Sequence, residues 1–120
     1  MILGIHHAQI TIPREDEDEG RQFYCHLLGL EEIDKPPSLK KRGGFWLKVG
    51  HQAVHVGIED GFDRLTTKAH IAYLVNDISY WKKVLVQHGI QPIEGIPIPG
   101  FDRFEFRDPF HNRVEMIQEL

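Results

Sequence analysis

The fold of this chain is decided by residues 5–12, with the sequence IHHAQITI, and by a related stretch at residues 69–75, AHIAYLV. In the first stretch His7 and Gln9 share one face, while Ala8 and Ile10 share the other. A side-chain period of two predicts a β-strand. The second stretch is predicted to be an equivalent strand, which is a first indication of an internal repeat.

A helix and three strands are predicted to follow each of these strands. The first helix spans residues 16–28, and the second begins after Asp77, a good N-cap residue; Gly29 and Gly89 are positioned to end them. The polar segment 59–68 has no periodicity and is predicted to be a linker. The predicted strands cover residues 30–33, 45–49 and 53–58 in the first half, and 90–93, 101–106 and 113–118 in the second.

The spacing of key residues indicates an internal repeat of this β-α-β-β-β unit. From Gly29 to His55 and from Gly89 to Glu115 the separation is the same, 26 residues. His7 therefore corresponds to His70, and His55 corresponds to Glu115. An internal repeat of this kind is stronger evidence for a fold than most local sequence signals. We expect a single domain over residues 1–120, built from module 1 at about 1–60 and module 2 at about 66–120.

The repeat predicts an α+β fold in which the two βαβββ modules form a cupped, mixed eight-stranded sheet with the helices outside. If the modules pack about a pseudo-twofold axis, the equivalent strands bring three imidazoles and one carboxylate to one point. Such a set suits one divalent transition metal: Zn, Ni, Fe, Mn or Co. The predicted ligands are His7, His55, His70 and Glu115. His7 is preferred over His6 because it matches His70, and His6 is then expected on the helix-packed side.

Composition excludes several other classes. The chain has 14 Lys and Arg against 18 Asp and Glu, a net charge of −4, which disfavours a dedicated nucleic-acid binder. Its one cysteine, Cys25, allows neither an intrachain disulfide nor a cysteine-built zinc site. No apolar run approaches the roughly 18 residues of a membrane span, and no signal peptide is evident. We expect a cytoplasmic homodimer with a small-molecule substrate and neither nucleic-acid nor membrane partners; whether the site closes within one chain or across two is open.

The chain resembles the vicinal oxygen chelate superfamily, which includes glyoxalases, bleomycin-resistance proteins and extradiol dioxygenases. The resemblance covers nearly the whole chain and is carried by four stretches: residues 4–10 (GIHHAQI), 23–30 (FYCHLLGL), 68–73 (KAHIAY) and 106–115 (FRDPFHNRVE). It implies metal ligation by His7, His70 and Glu115, with His55 as a fourth ligand in many members. In this family the metal chelates adjacent oxygens of the substrate and stabilises negative charge as a Lewis acid.

Three functions are compatible with this resemblance. The first is a metal-dependent lyase or isomerase of the glyoxalase type, in which Glu115 either remains a plain ligand or acts as the proton-transfer base. The second is a ring-cleaving extradiol-type dioxygenase with Fe(II), which suits two histidines and one carboxylate. The third is a metal-free drug- or ligand-binding resistance protein, which the four-ligand set disfavours.

Several positions depart from the patterns of particular family members. Lactoylglutathione lyases usually have Arg where this chain has Thr11, and fosfomycin-modifying thiol transferases usually have Thr at Gln9 and Tyr at Glu105. His111 replaces the usual glycine of the Asp-Pro turn. These departures concern the substrate rather than the metal set. The predicted substrate contacts are Gln9, Trp46, Phe101 and Arg103; Lys35, Lys40, Lys41 and Arg42 form a basic run that is compatible with a substrate anion or with a solvated loop.

Overall fold

A computed structural model describes all 120 residues and divides the chain into two compact units, Met1–Phe62 and Asp63–Leu120. Each unit contains one four-stranded mixed sheet. The strand order is β1-β4-β3-β2 in the first unit and β5-β8-β7-β6 in the second. The predicted α+β class with two βαβββ modules is therefore confirmed, and the eight strands are hydrogen-bonded as two sheets of four. No helix is long and apolar enough to cross a membrane.

In the first unit, the strand β1 pairs in parallel with β4, and β3 pairs antiparallel with both β4 and β2. The apolar side chains of one sheet face pack against the helical segment; Tyr24 and Leu47 are 0% exposed and Phe45 is 1% exposed. The strands are β1 (His7–Ile12), β2 (Glu31–Ile33), β3 (Phe45–Val49) and β4 (Gln52–Ile58), with a 3₁₀ helix at Pro37–Arg42.

The first helical segment is not the single α-helix that its pattern predicts. It begins as a 3₁₀ turn at Arg14–Asp16, continues as the α-helix α1 at Glu17–Arg21 and ends as a π-helix at Gln22–Leu27. Gly20 explains part of this path, because a Cβ there would lie 2.8 Å from Cδ1 of Ile12. The segment thus packs more closely on the sheet than a residue with a side chain would allow.

In the second unit, β5 pairs in parallel with β8, and β7 lies between β8 and β6. Asp77 caps the helix, as predicted, by accepting a hydrogen bond from the backbone N–H of Tyr80 at 3.0 Å. Leu85, Phe104 and Phe106 are fully buried. The elements are β5 (His70–Leu74), α2 (Ile78–Gln87), β6 (Ile93–Glu94), β7 (Phe101–Arg107) and β8 (Arg113–Glu119).

Two local expectations need correction. The segment 59–68 is more than a linker: Arg64–Thr66 form a 3₁₀ turn capped by Asp63, and Arg64 is only 4% exposed. His6 precedes β1 and is exposed rather than packed beneath the helix. His111, in contrast, has a positive φ of 75°, which agrees with the glycine that the resemblance leads us to expect in this turn.

Candidate functional site

The second unit brings His70 and Glu115 together. His70 is the first residue of β5, and Glu115 lies on the adjacent strand β8 opposite Ala72, two residues further along. Residues two apart on a strand point to the same face. The two side chains meet there, with His70 Nε2 3.2 Å from Glu115 Oε1. Glu115 is only 6% exposed, so its carboxylate depends on protein partners or a bound cation.

The other ring nitrogen of His70 fixes its tautomer. His70 Nδ1 lies 2.9 Å from the backbone oxygen of Lys68, which can only accept a hydrogen bond. Nδ1 therefore carries the proton, and in the neutral ring Nε2 presents its lone pair toward Glu115. Two acceptor atoms 3.2 Å apart can share a cation, and either a proton on Nε2 or a metal ion would suit this place. Metal-binding histidines usually donate a hydrogen bond from one ring nitrogen to a group such as a backbone carbonyl, while the other ring nitrogen binds the metal.

Glu105 completes a cluster with these two residues. Ligand atoms of His70, Glu105 and Glu115 all lie within 4.8 Å of one another, which makes the cluster a possible metal site. Glu105 is already held by Arg113, whose Nε and Nη2 donate to its two oxygens at 2.7 and 2.8 Å. These bonds lower the pKa of the Glu105 carboxyl below its usual value, despite an opposing effect of burial. In the sequence, Glu105 stands out only as a departure from a family pattern; its place on the strand next to that of Glu115 is the signal that could have identified it.

Arg103 lies against the same carboxylates. Its Nη1 donates to Glu115 Oε1 at 3.3 Å and is 3.5 Å from Glu105 Oε1. Its Nε and Nη2 both donate to the backbone oxygen of Ile96, at 3.1 and 2.7 Å. The guanidinium covers Gly95, where a Cβ would be 2.9 Å from three of its atoms. Arg103 thus links the loop before β7 to the carboxylate of Glu115, and its contact with substrate stays a prediction.

The first unit brings His7 and His55 together. Their rings are stacked with centroids 4.0 Å apart, and the ring of Trp46 stacks on the other face of His55 at 3.9 Å. His55 lies opposite Trp46 in the antiparallel pair β3–β4. Burial, together with the nearby charges of His7, His6 and Lys35, lowers the pKa of His55. His55 is therefore a neutral imidazole near pH 7, the form that binds metals.

His6 contacts His7 through the ring nitrogens. The two Nδ1 atoms are 2.9 Å apart, so one donates and the other accepts. If His7 donates, its Nε2 is left with a free lone pair, as a metal ligand requires. Alternation over residues 5–12 predicts His6 on the helix-packed side, and this contact was missed because the strand begins only at His7.

The predicted substrate residues lie in different surroundings. Gln9 and Trp46 line the same cavity of the first unit as His55. Phe101 is the first residue of β7 and is 38% exposed.

The chain belongs to the Glyoxalase/Bleomycin resistance protein/Dioxygenase superfamily, whose family model matches residues 4–116. The predicted resemblance to this superfamily is thus confirmed. A comparison with curated proteins finds no match.

Solved structures show the same fold. A crystal structure of a protein assigned to the glyoxalase family, from Bacillus anthracis, is 42% identical, with a TM-score of 0.90; the match covers 100% of this chain and 98% of that one. The fosfomycin resistance protein FosX from Listeria monocytogenes, complexed with Mn(II) and sulfate, has a TM-score of 0.78 at 16% identity, covering 100% and 93%. A glyoxalase/dioxygenase from Nostoc punctiforme has a TM-score of 0.80 at 18% identity, covering 98% and 92%.

Proposed function

We propose that this protein is a metal-dependent enzyme of the lyase or isomerase type that acts on a small substrate with two adjacent oxygens. One observation carries the proposal: His70 Nε2 lies 3.2 Å from Glu115 Oε1, while the other ring nitrogen of His70 is hydrogen-bonded to the backbone oxygen of Lys68. An imidazole lone pair and a carboxylate oxygen form a donor set for a divalent transition metal. Mn(II) in the similar FosX structure supports a divalent ion of this kind.

The proposed ligands are His7, His55, His70 and Glu115. A neutral His55, a tautomer-fixed His70 and a buried carboxylate fit a divalent cation, because each ligand atom needs a lone pair rather than a proton. When bound, the metal would supply Lewis-acid stabilisation of negative charge on the substrate oxygens. We propose a homodimer in which the four ligands come either from one chain or from both.

Glu115 has a second proposed role as the base that moves a proton between neighbouring substrate carbons. Its carboxylate is nearly buried, and the Arg103 guanidinium donates a hydrogen bond to it at 3.3 Å. A carboxylate in such a place can accept a proton from a bound substrate and return it without exchange with bulk water. Gln9, Trp46 and Phe101 are proposed to contact the substrate, and Arg103 to orient Glu115 as well as the substrate.

The metal content of four variants tests the proposal. Tag-free protein, purified without chelators, is analysed for zinc, nickel, iron, manganese and cobalt. One ion per chain is expected in the unaltered protein, and both His7→Ala and His70→Ala should lose it, although they lie in different units. Glu115→Ala should lose it too. The exposed turn residue His51 provides the control, His51→Ala, which should keep the ion.

The outcome also separates the alternative functions. Protein without a stoichiometric metal would contradict the enzyme proposal and favour a ligand-binding protein. Iron as the bound metal, together with oxygen consumption in the presence of a catechol, would favour the dioxygenase. Retention of a full metal complement in His70→Ala or Glu115→Ala would show that the assigned ligands are wrong.

A further inference from the structure

The first unit contains a cavity of about 260 Å³ beside His55. Trp46 and Gln9 form part of its wall, and the segment from Lys35 to Gly43 forms another part. A cavity of roughly 150 Å³ is large enough for a benzene ring. This cavity therefore has room for a small ring or chain together with one polar group.

Two cationic side chains of the basic run, Lys35 and Arg42, line this cavity, and they differ in their contacts. The ammonium of Lys35 donates a hydrogen bond to the backbone oxygen of Gly43, so it holds the loop together. Arg42 is exposed and forms neither a hydrogen bond nor an ion pair. The nearby acid Glu17 is already paired with Arg21 at 3.1 Å. Arg42 is thus the unpaired cation of the cavity.

The two glycines after Arg42 explain why it reaches this cavity. Gly44 has a φ of +81°, and a Cβ there would lie 2.1 Å from the backbone oxygen of Val56. Only glycine allows the loop to lie directly on β4 at this point. The 3₁₀ helix Pro37–Arg42 consequently ends beside the strand that carries His55. Lys40 and Lys41, in the same helix, do not line the cavity.

We propose that this cavity binds an anionic group of the substrate, a carboxylate or a phosphonate-type group, with Arg42 as the contact that selects for the charge. Trp46 offers an aromatic surface for the apolar part of the same molecule. The guanidinium of an arginine is suited to both kinds of anion because its donors match two oxygens at once. In naming the substrate class, this inference rests on the proposed function.

Isothermal titration calorimetry of the full-length protein, as purified, tests the inference with three probes: phenylphosphonate, benzoate and neutral benzyl alcohol. We expect at least one of the two anions to bind and the alcohol not to bind; the stronger anion identifies the group. Arg42→Gln should weaken anion binding about tenfold, the loss expected for a hydrogen bond to a charged group. Lys41→Gln removes a neighbouring charge outside the cavity and should leave binding unchanged.

Equal weakening in Arg42→Gln and Lys41→Gln would overturn the inference, since it would indicate general attraction to a basic loop. Absence of anion binding, or equal binding of the alcohol, would also overturn it. The metal content of the same samples keeps the two proposals apart. Anion binding by a protein that holds no metal would support the cavity assignment and contradict the proposed metal-dependent enzyme. A bound metal without anion binding would support the proposed enzyme and contradict the cavity assignment.

Discussion

Trp46 and Glu105 occupy the same position in the two units. Trp46 lies directly opposite His55 in β3–β4, and Glu105 lies directly opposite Glu115 in β7–β8. Each is thus the cross-strand neighbour of a proposed metal ligand, but one is aromatic and the other is acidic. Trp46 restricts the ring of His55 by stacking at 3.9 Å. Glu105 instead forms ion pairs with Arg113 and Arg103, which lie near Glu115. The duplicated framework therefore supports its ligands by two different kinds of contact.

Replacement of Trp46 tests the stacking contact. Trp46→Leu removes the aromatic face that orients His55, and we expect metal affinity to fall roughly tenfold, as for other residues that orient a ligand. Trp46→Phe keeps an aromatic ring and should recover most of the affinity. Metal titration with thermal unfolding of each variant makes the measurement. Wild-type affinity in Trp46→Leu would show that the stack does not orient His55.

Glu105→Gln tests the ion pair with Arg113. The pKa of Glu105 lies below its usual 4.5 in the folded protein, so the pair stabilises the fold above that pH and the contribution is lost as the pH falls through the folded-state pKa. We expect a loss of about 1–2 kcal/mol in the free energy of unfolding at pH 7. Urea unfolding between pH 7 and pH 2 should show the difference from wild type shrinking as the pH falls below 4.5. The exposed Glu31→Gln is the control, and a loss independent of pH would contradict this account.

His6→Ala tests the hydrogen bond between the two adjacent histidines. If His7 Nδ1 donates to His6, removal of His6 frees the ring of His7 to change tautomer and orientation. Metal affinity should then fall about tenfold, while His51→Ala should not change it. An unchanged affinity in His6→Ala would mean that the contact plays no part in ligation.

Gly95→Ala tests the position of Arg103. An added Cβ would lie 2.9 Å from Cζ, Nη1 and Nη2 of Arg103, so the guanidinium has to shift, and we expect this to weaken its hydrogen bonds to the backbone oxygen of Ile96. We expect a loss of about 1–2 kcal/mol in the free energy of unfolding. In an Arg103→Ala background the same glycine substitution should cost much less. Additive losses in this double-mutant cycle would contradict the proposed contact.

The sequence predicted the repeated framework well because the pattern is local and occurs twice. Gln9 is paired with His55, and Ala72 with Glu115, so the two sheets have the same register. This register agrees with the predicted correspondence of His7 with His70 and of His55 with Glu115. Gly29 and Gly89 likewise share a φ of +75° after their helices.

The contacts around the site could not be predicted in the same way. Arg103 bonds a loop oxygen and a strand carboxylate at once, and nothing in its local pattern distinguishes it from a free, anion-binding arginine. In the basic run 35–42, Lys35 donates a hydrogen bond to the loop backbone, whereas Arg42 is unpaired. Only the path of the loop shows this difference between the two residues.

X-ray absorption spectroscopy of the zinc-loaded protein tests the central claim most directly, because it reports the atoms bound to the metal. We predict one ion per chain with only nitrogen and oxygen neighbours at about 2.0–2.2 Å, and an outer-shell signal from three imidazoles. His7→Ala and His70→Ala should each weaken or abolish this imidazole signal. A spectrum without histidine scattering, or one that neither substitution alters, would contradict the claim that these histidines hold the metal.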